Sequence, residues 1–119
     1  MTNVVVTSPQ NMDLEHKLDD PHNSFWTFYR KPKKLQVDDI VWVVKNGHVV
    51  GGFYVRQIVF AKEPIRNAEG HNPGNCWRVW FDSQVDEDTC IEQGVLSQDT
   101  TEFLINVRGF QGFRYQWWP

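Results

Sequence analysis

No stretch of this chain approaches the roughly 18 consecutive apolar residues of a membrane-spanning helix, so no membrane partner is expected. The opening MTNVVVTSPQ has neither a charged leader nor an apolar run of secretory length, which makes the cytoplasm the expected compartment. Cysteines number two, Cys76 and Cys90, and without an export signal they are expected as reduced thiols. No Gly-rich loop joins a strand to a helix and no Gly-x-Ser-x-Gly occurs, so neither a phosphate cradle nor a hydrolase nucleophile elbow is present. The four histidines include His16 and His22, six apart, and His71, five before Cys76. Neither spacing closes a zinc pattern, and no metal or cofactor is expected.

Basic residues are missing from one long segment. Residues 79–107 hold seven acids (Asp82, Asp86, Glu87, Asp88, Glu92, Asp99, Glu102) and no Lys or Arg. The whole chain has 15 acidic and 12 basic residues and a net charge of −3, so the remainder carries all the cations against eight acids. An acidic total disfavours bulk, non-specific duplex binding and leaves room for a local basic patch.

What is abundant is aromatic: 14% of the 119 residues, with six Trp. That length suits one domain, 1–119, with a single core. Residues 37–60, VDDIVWVVKNGHVVGGFYVRQIVF, place β-branched and aromatic runs on both sides of Asn46-Gly47, a two-residue hairpin signal. Ile40, Trp42 and Val44 share one face of the entering strand, and Val41 and Val43 share the other. Apolar residues on both faces predict a covered or closed sheet. Gly51-Gly52 predicts a bulge, a barrel corner or a close approach in the returning strand.

Further strands are predicted at 3–7, 24–29, 76–82, 102–108 and 110–118, the last two by alternation. Trp77, Val79 and Phe81 face one way and Arg78 and Trp80 the other. Ser8 or Asn11 is placed to cap a short helix through Met12, Leu14 and Leu18. Residues 62–75 read as a loop, and 84–96 as an acidic segment with a helical turn or two ending near Gly94. The expected fold is mixed α+β, mainly β: a compact β-barrel of about six strands with one or two short helices.

The pattern VDDIVWVVKNGHVVGG resembles the "Gly-Asp-hydrophobic … Gly-hydrophobic-hydrophobic-Gly" core of the PUA-like superfamily, with its EVE, ASCH and YTH domains. Asp38-Asp39 stands where those domains usually show Gly-Asp. A first strand ending at Ser8, a polar helix and then Trp26 is similar to the EVE and YTH opening. The ending GFQGFRYQWW looks like the final strand of small PUA-like proteins of bacteria and their phages. The resemblance implies a small barrel whose members read RNA or a modified base lifted from a nucleic acid, with Trp26 in the place of a cage wall.

The residues themselves point the same way. An indole stacks on any base, worth about 1–3 kcal/mol per base, and Arg adds cation–π contact or grips phosphate. Trp26, Arg30 and Lys31 supply both, and residues 30–34 carry four cations in five positions. Arg114 and Trp118 share a face of the last strand, and Tyr54 and Arg56 are placed on one face of the hairpin. If these faces converge, Trp26, Arg30, Lys31, Tyr54, Arg56, Arg114 and Trp118 form an aromatic pocket with a basic rim. The predicted function is a non-catalytic module that binds RNA or modified DNA through a single-stranded or flipped base. The plainer reading makes 30–34 a solvated loop and the Trp residues seals of the barrel.

Two other classes stay open. A small interaction protein, such as a phage inhibitor of a host complex, would use the acidic 82–102 segment against a protein partner. An ASCH-type amidohydrolase on modified cytidine, which the resemblance also implies, would need a Lys, a Thr and a Glu together. Lys45, Thr27 and Glu63 or Glu102 are the candidates.

Overall fold

A computed structural model of the chain describes residues 2–8, 14–67, 70–72 and 74–119, with backbone alone at 15, 16, 65–67 and 70–72. Its strands are β1 (Val4–Thr7), β2 (Phe25–Phe28), β3 (Ile40–Lys45), β4 (His48–Ala61), β5 (Ile65–Asn67), β6 (Gly70–Asn72), β7 (Cys76–Gln84) and β8 (Phe113–Tyr115). Two short helices, α1 (Leu14–Asp19) and α2 (Glu87–Glu92), and a 3₁₀ turn at Pro21–Asn23 complete it. Asn11, one of the two expected capping residues, and Met12 at the expected start of the helix fall outside the described residues.

The predicted hairpin forms as β3 and β4. Asn46 and Gly47 turn the chain with φ of 54° and 82°, the left-handed values that a type I′ turn needs. The two glycines then do different things. Val44 pairs with Val49 and Val43 with Gly51, so Val50 is left over as a bulge. Gly52 pairs with Trp42, whose wholly buried indole occupies the space a side chain there would need.

Six strands join in the order β2-β7-β4-β3-β1-β8. β1 lies parallel to β3 and the other pairings are antiparallel. The sheet curls into a half-barrel, so that its two edge strands meet by side chains: the rings of Phe28 on β2 and Phe113 on β8 are 5.4 Å apart.

Alternation along the strands builds two cores. The inner one draws on all six strands, through Val4, Val6, Phe28, Val41, Val43, Phe53, Val55, Val79, Phe81 and Phe113. The outer one takes Val5, Ile40, Trp42, Val44 and Val49 from the sheet and covers them with Val85, Cys90, Val95 and Val107. β3 contributes Val41 and Val43 to one and Ile40, Trp42 and Val44 to the other, as its two-sided apolar pattern requires. The cover is clipped on by Asp86, whose carboxylate accepts the Thr89 amide at 2.8 Å and caps α2. Burial pushes the Cys90 thiol up, with the charges of Asp86 and Glu87 adding to the shift. Both cysteines are free thiols.

Three expectations change. Residues 62–75 contain the small β5–β6 ladder. The last strand is confined to Phe113–Tyr115. Residues 102–108 form no strand: isolated bridges hold Phe103 and Asn106, and Phe103 is 42% exposed. Their backbone groups go to separate acceptors, Leu104 N–H to Val95 and Val107 N–H to Gly47, while Ile105 accepts from Val49. The segment is thus shared between two neighbours and cannot run along one.

Candidate functional site

The seam where β2 and β8 meet is where cations and rings gather. Leaving β2, the chain crosses the seam as a strap, residues 29–35, whose Pro32 and Leu35 are buried. A turn with the Leu35 amide donating to the Pro32 carbonyl at 3.0 Å keeps both apolar residues inward and turns the polar ones out. The Arg30 guanidinium lies 4.7 Å from the Phe113 ring centroid, the Lys31 ammonium 4.7 Å from Trp77, and the Lys34 ammonium 5.5 Å from Tyr115. The Lys34 amide also donates to the Tyr115 hydroxyl at 3.2 Å. Among the described residues, no carboxylate pairs with Arg30, Lys31, Lys33 or Lys34.

Cross-strand register lays the rings out in rows on the same inner face. Phe28, Trp77 and Phe60 form the outermost row across β2, β7 and β4; Trp26, Val79 and Ile58 form the next. Phe60 and Trp77 meet edge to face at 5.3 Å, and Phe60 is 47% exposed. Trp26 is half-buried against the inner core. The buried Lys17 ammonium lies 5.7 Å from its ring and donates to the Phe25 carbonyl at 2.8 Å. The mouth of the half-barrel therefore offers the partly buried rings of Trp77 and Tyr115, each with a lysine over it, and the exposed Phe60 beside Trp77, while Arg30 covers the buried Phe113 ring.

Of the seven residues predicted from sequence, Arg30 and Lys31 lie at the seam, and Trp26 is on the same inner face one row further in. The other four lie on the opposite side of the sheet, in separate places. Arg56 sits 5.6 Å from the Trp80 ring and donates to the carbonyls of Phe81 and His22, at 3.2 and 2.9 Å. Tyr54 packs on the outer core. Arg114 extends over Phe110 at 4.6 Å. Trp118 lies against Trp42, ring centroids 6.1 Å apart, and its indole N–H donates to the Gln93 carbonyl at 3.0 Å. Alternation along β8 turns Arg114 away from Phe113 and Tyr115, and Trp118, beyond that strand, is held on the outer core by Trp42 and Gln93.

Sequence reasoning missed Trp77, Tyr115 and Phe113 as seam residues. Alternation puts Trp77 on one face with Val79 and Phe81, and only the meeting of β2 with β8 brings Phe113 and Tyr115 in beside it. The signal that could have found Lys34 was present, in the cation run ending at it.

The enzyme candidates are not gathered by the fold. Thr27 is on edge strand β2 and Lys45 at the end of β3, with β7 and β4 between them. Glu63 follows β4, its carbonyl accepting from Arg78 at 2.8 Å, and Glu102 lies beyond Ser97, whose amide its carbonyl accepts. Among the described residues, no three of His, Cys, Asp and Glu converge as around a metal ion. The His16 and His71 side chains lie outside those described. No described helix is long and apolar enough to cross a membrane.

Compared with known proteins, the chain matches no family model, no curated protein and no solved structure.

Proposed function

We propose that this chain is a non-catalytic nucleic-acid-binding module that holds a short single-stranded stretch, RNA or modified DNA, against the mouth of the half-barrel. The carrying observation is the strap: three cations without carboxylate partners among the described residues, each seated on a ring of the mouth. A cation so placed can swing to a phosphate and leave its ring face to a base. Arg30, Lys31 and Lys34 would meet phosphates, Trp77 and Phe60 would stack, and Trp26 would back the pocket one row further in. Stacking supplies about 1–3 kcal/mol per base without selecting sequence.

The PUA-like resemblance is part of this reading, and one local detail supports it. Asp38 adopts φ of 73°, the left-handed region that glycine takes freely, at the position where the resembled pattern has Gly. Its amide donates to the Val55 carbonyl and the Val55 amide to the Asp39 carbonyl, both at 2.9 Å, so two residues oppose one as in a G1 bulge. The buried Asp39 carboxylate accepts the Gln36 amide at 2.9 Å and pins the turn. Gly-Asp would serve the same geometry with less strain.

Fluorescence anisotropy with labelled 12-residue oligo-U and oligo-dT tests the proposal across a salt series. Each phosphate contact lowers the slope of log K against log salt by about 0.7 on single strands, so the three strap cations predict a slope near −2. Lys31→Ala and Lys34→Ala should each make the slope shallower by about 0.7. Binding that is absent, or indifferent to both substitutions, would refute the reading.

A further inference from the structure

β4 is 14 residues long, and only its first half has a strand on both sides. β3 leaves it where Ile40 meets Tyr54, while β7 stays paired as far as Ala61. The side chains tell which way the outer half directs its backbone, because face and hydrogen-bond direction alternate together in extended chain. Phe53 and Val55 face inward, and the Val55 amide and carbonyl are bonded on the β3 side, to Asp39 and Asp38. Ile58 and Phe60 also face inward, level with Val79 and Trp77, so their N–H and C=O groups point to that same side, past the start of β3. Among the described residues no hydrogen bond reaches them there. The described chain leaves this edge open at both ends. It enters β3 by a turn in which the Asp39 amide donates to the Gln36 carbonyl at 3.1 Å, and it leaves β4 toward β7, where the Glu63 carbonyl accepts from Arg78 at 2.8 Å.

Sheet edges are ordinarily guarded by shortness, charge, proline or a cover, and an unguarded one pairs with another strand. The other edges here are guarded: β8 has three residues, and on the four residues of β2 the Lys17 ammonium takes the Phe25 carbonyl. Residues 57–61, QIVFA, have neither charge nor proline, and Phe60 among them is 47% exposed. We propose that two copies of this chain pair through residues 57–61 of β4, antiparallel about a twofold axis at Val59. In that register Ile58 of each copy exchanges two hydrogen bonds with Phe60 of the other, which satisfies every open group on both edges. Residues so paired lie on one face, so Ile58 packs against the Phe60 ring, Val59 meets Val59 and Gln57 meets Ala61, with no charge in the ladder. The edge is self-complementary, which is why the occupant is a second copy. An axis normal to the sheet keeps both inner faces on one side and sets the two mouths next to each other. The inference uses the backbone of β4 alone and stands if nucleic-acid binding fails.

Five residues a side fall well short of the roughly 20–30 of a standard interface, so the dimer should be weak, with a Kd on the order of 100 µM. Sedimentation velocity without nucleic acid, from about a tenth to about ten times that concentration, should show monomer passing into dimer. In ¹⁵N spectra over the same series the Ile58 and Phe60 amides should shift most. Phe60→Pro removes an edge N–H that the described chain does not use, a place where a strand tolerates proline, and should leave a monomer at every concentration. Phe60→Ala loses the ring but keeps the N–H, and should still dimerise, more weakly than wild type. A wild-type chain that stays monomeric throughout would overturn the inference. So would a dimer that survives Phe60→Pro, or one that both substitutions abolish alike, since the ladder would then not be what holds it.

Discussion

Gly51 and Gly52 are adjacent, identical in sequence terms and opposite in consequence, which makes them a controlled test of the packing. A Cβ on Gly52 would stand 2.8 Å from Trp42 Cε3, 2.9 Å from Ile40 Cγ2 and 3.0 Å from the Val41 carbonyl oxygen. Favourable carbon contacts begin at about 3.5 Å, so at least one neighbour must give way. Trp42 is the poorest candidate to move. Its ring is wholly buried, and its indole N–H donates at 2.8 Å to the Gln116 side chain, which also accepts from Asn3. Gly52→Ala should therefore cost about 1–3 kcal/mol, as overpacking does. At about 4 °C per kcal/mol for a chain of this length, the melting temperature should fall by about 4–12 °C. A Cβ on Gly51 meets nothing within 4 Å. Gly51→Ala should be neutral or stabilising by up to about 1 kcal/mol through the unfolded state. Urea denaturation followed by Trp fluorescence measures both. Equal effects of the two substitutions would refute the packing of Trp42 on β4 and the register that sets it.

The G1-type bulge predicts opposite signs at neighbouring positions: Asp38→Gly should stabilise by up to about 1 kcal/mol by removing a left-handed non-glycine residue. Asp39→Ala should destabilise by about 1–3 kcal/mol by leaving the Gln36 amide without its buried acceptor; the same urea melts check both. At the start of α2, hydrogen bonds from the Thr89 side chain and amide hold the Asp86 carboxyl below its usual range. A folded-state pKa below the unfolded one contributes stability that is present above the unfolded value, about 3.9, and is lost as pH falls through the folded value. Asp86→Ala should thus lower the melting temperature at pH 7, and the gap from wild type should shrink steadily below about pH 4. A gap independent of pH would mean that the cap does not depend on the carboxylate charge.

Much of the architecture was legible because it is written in short-range chemistry. Asn46-Gly47 can hardly be anything but a tight turn, and the two-sided apolar pattern of β3 required cover on both faces. The faces of β7 read correctly from Trp77, Val79 and Phe81. Residues 102–108 misled because Phe103, Ile105 and Val107 alternate as a strand would, while their hydrogen bonds run to different neighbours and Phe103 stays in solvent. Pairwise placement of distant segments was not legible. That β1 should lie parallel to β3, and that β2 should meet β8 through Phe28 and Phe113, depends on how the sheet curls. The candidate site suffered most from this. Trp26, Arg30 and Lys31 are close in sequence, and the fold keeps Trp26 on the face over which Arg30 and Lys31 reach. Arg114 and Trp118 were grouped with them on residue type, although alternation along β8 aims Arg114 away from Phe113 and Tyr115 and Trp118 lies beyond that strand.

The central claim is that a nucleic acid meets the seam and leaves the outer face alone. The most direct measurement is a titration of the ¹⁵N-labelled protein with a short oligo-U, watching the indole N–H signals of the six tryptophans. The account predicts that the Trp77 and Trp26 signals move as the complex forms. The Trp42 and Trp118 signals, whose N–H groups are held by Gln116 and Gln93, should stay in place. Shifts confined to Trp42 and Trp118, or no shift at saturating oligonucleotide, would contradict it.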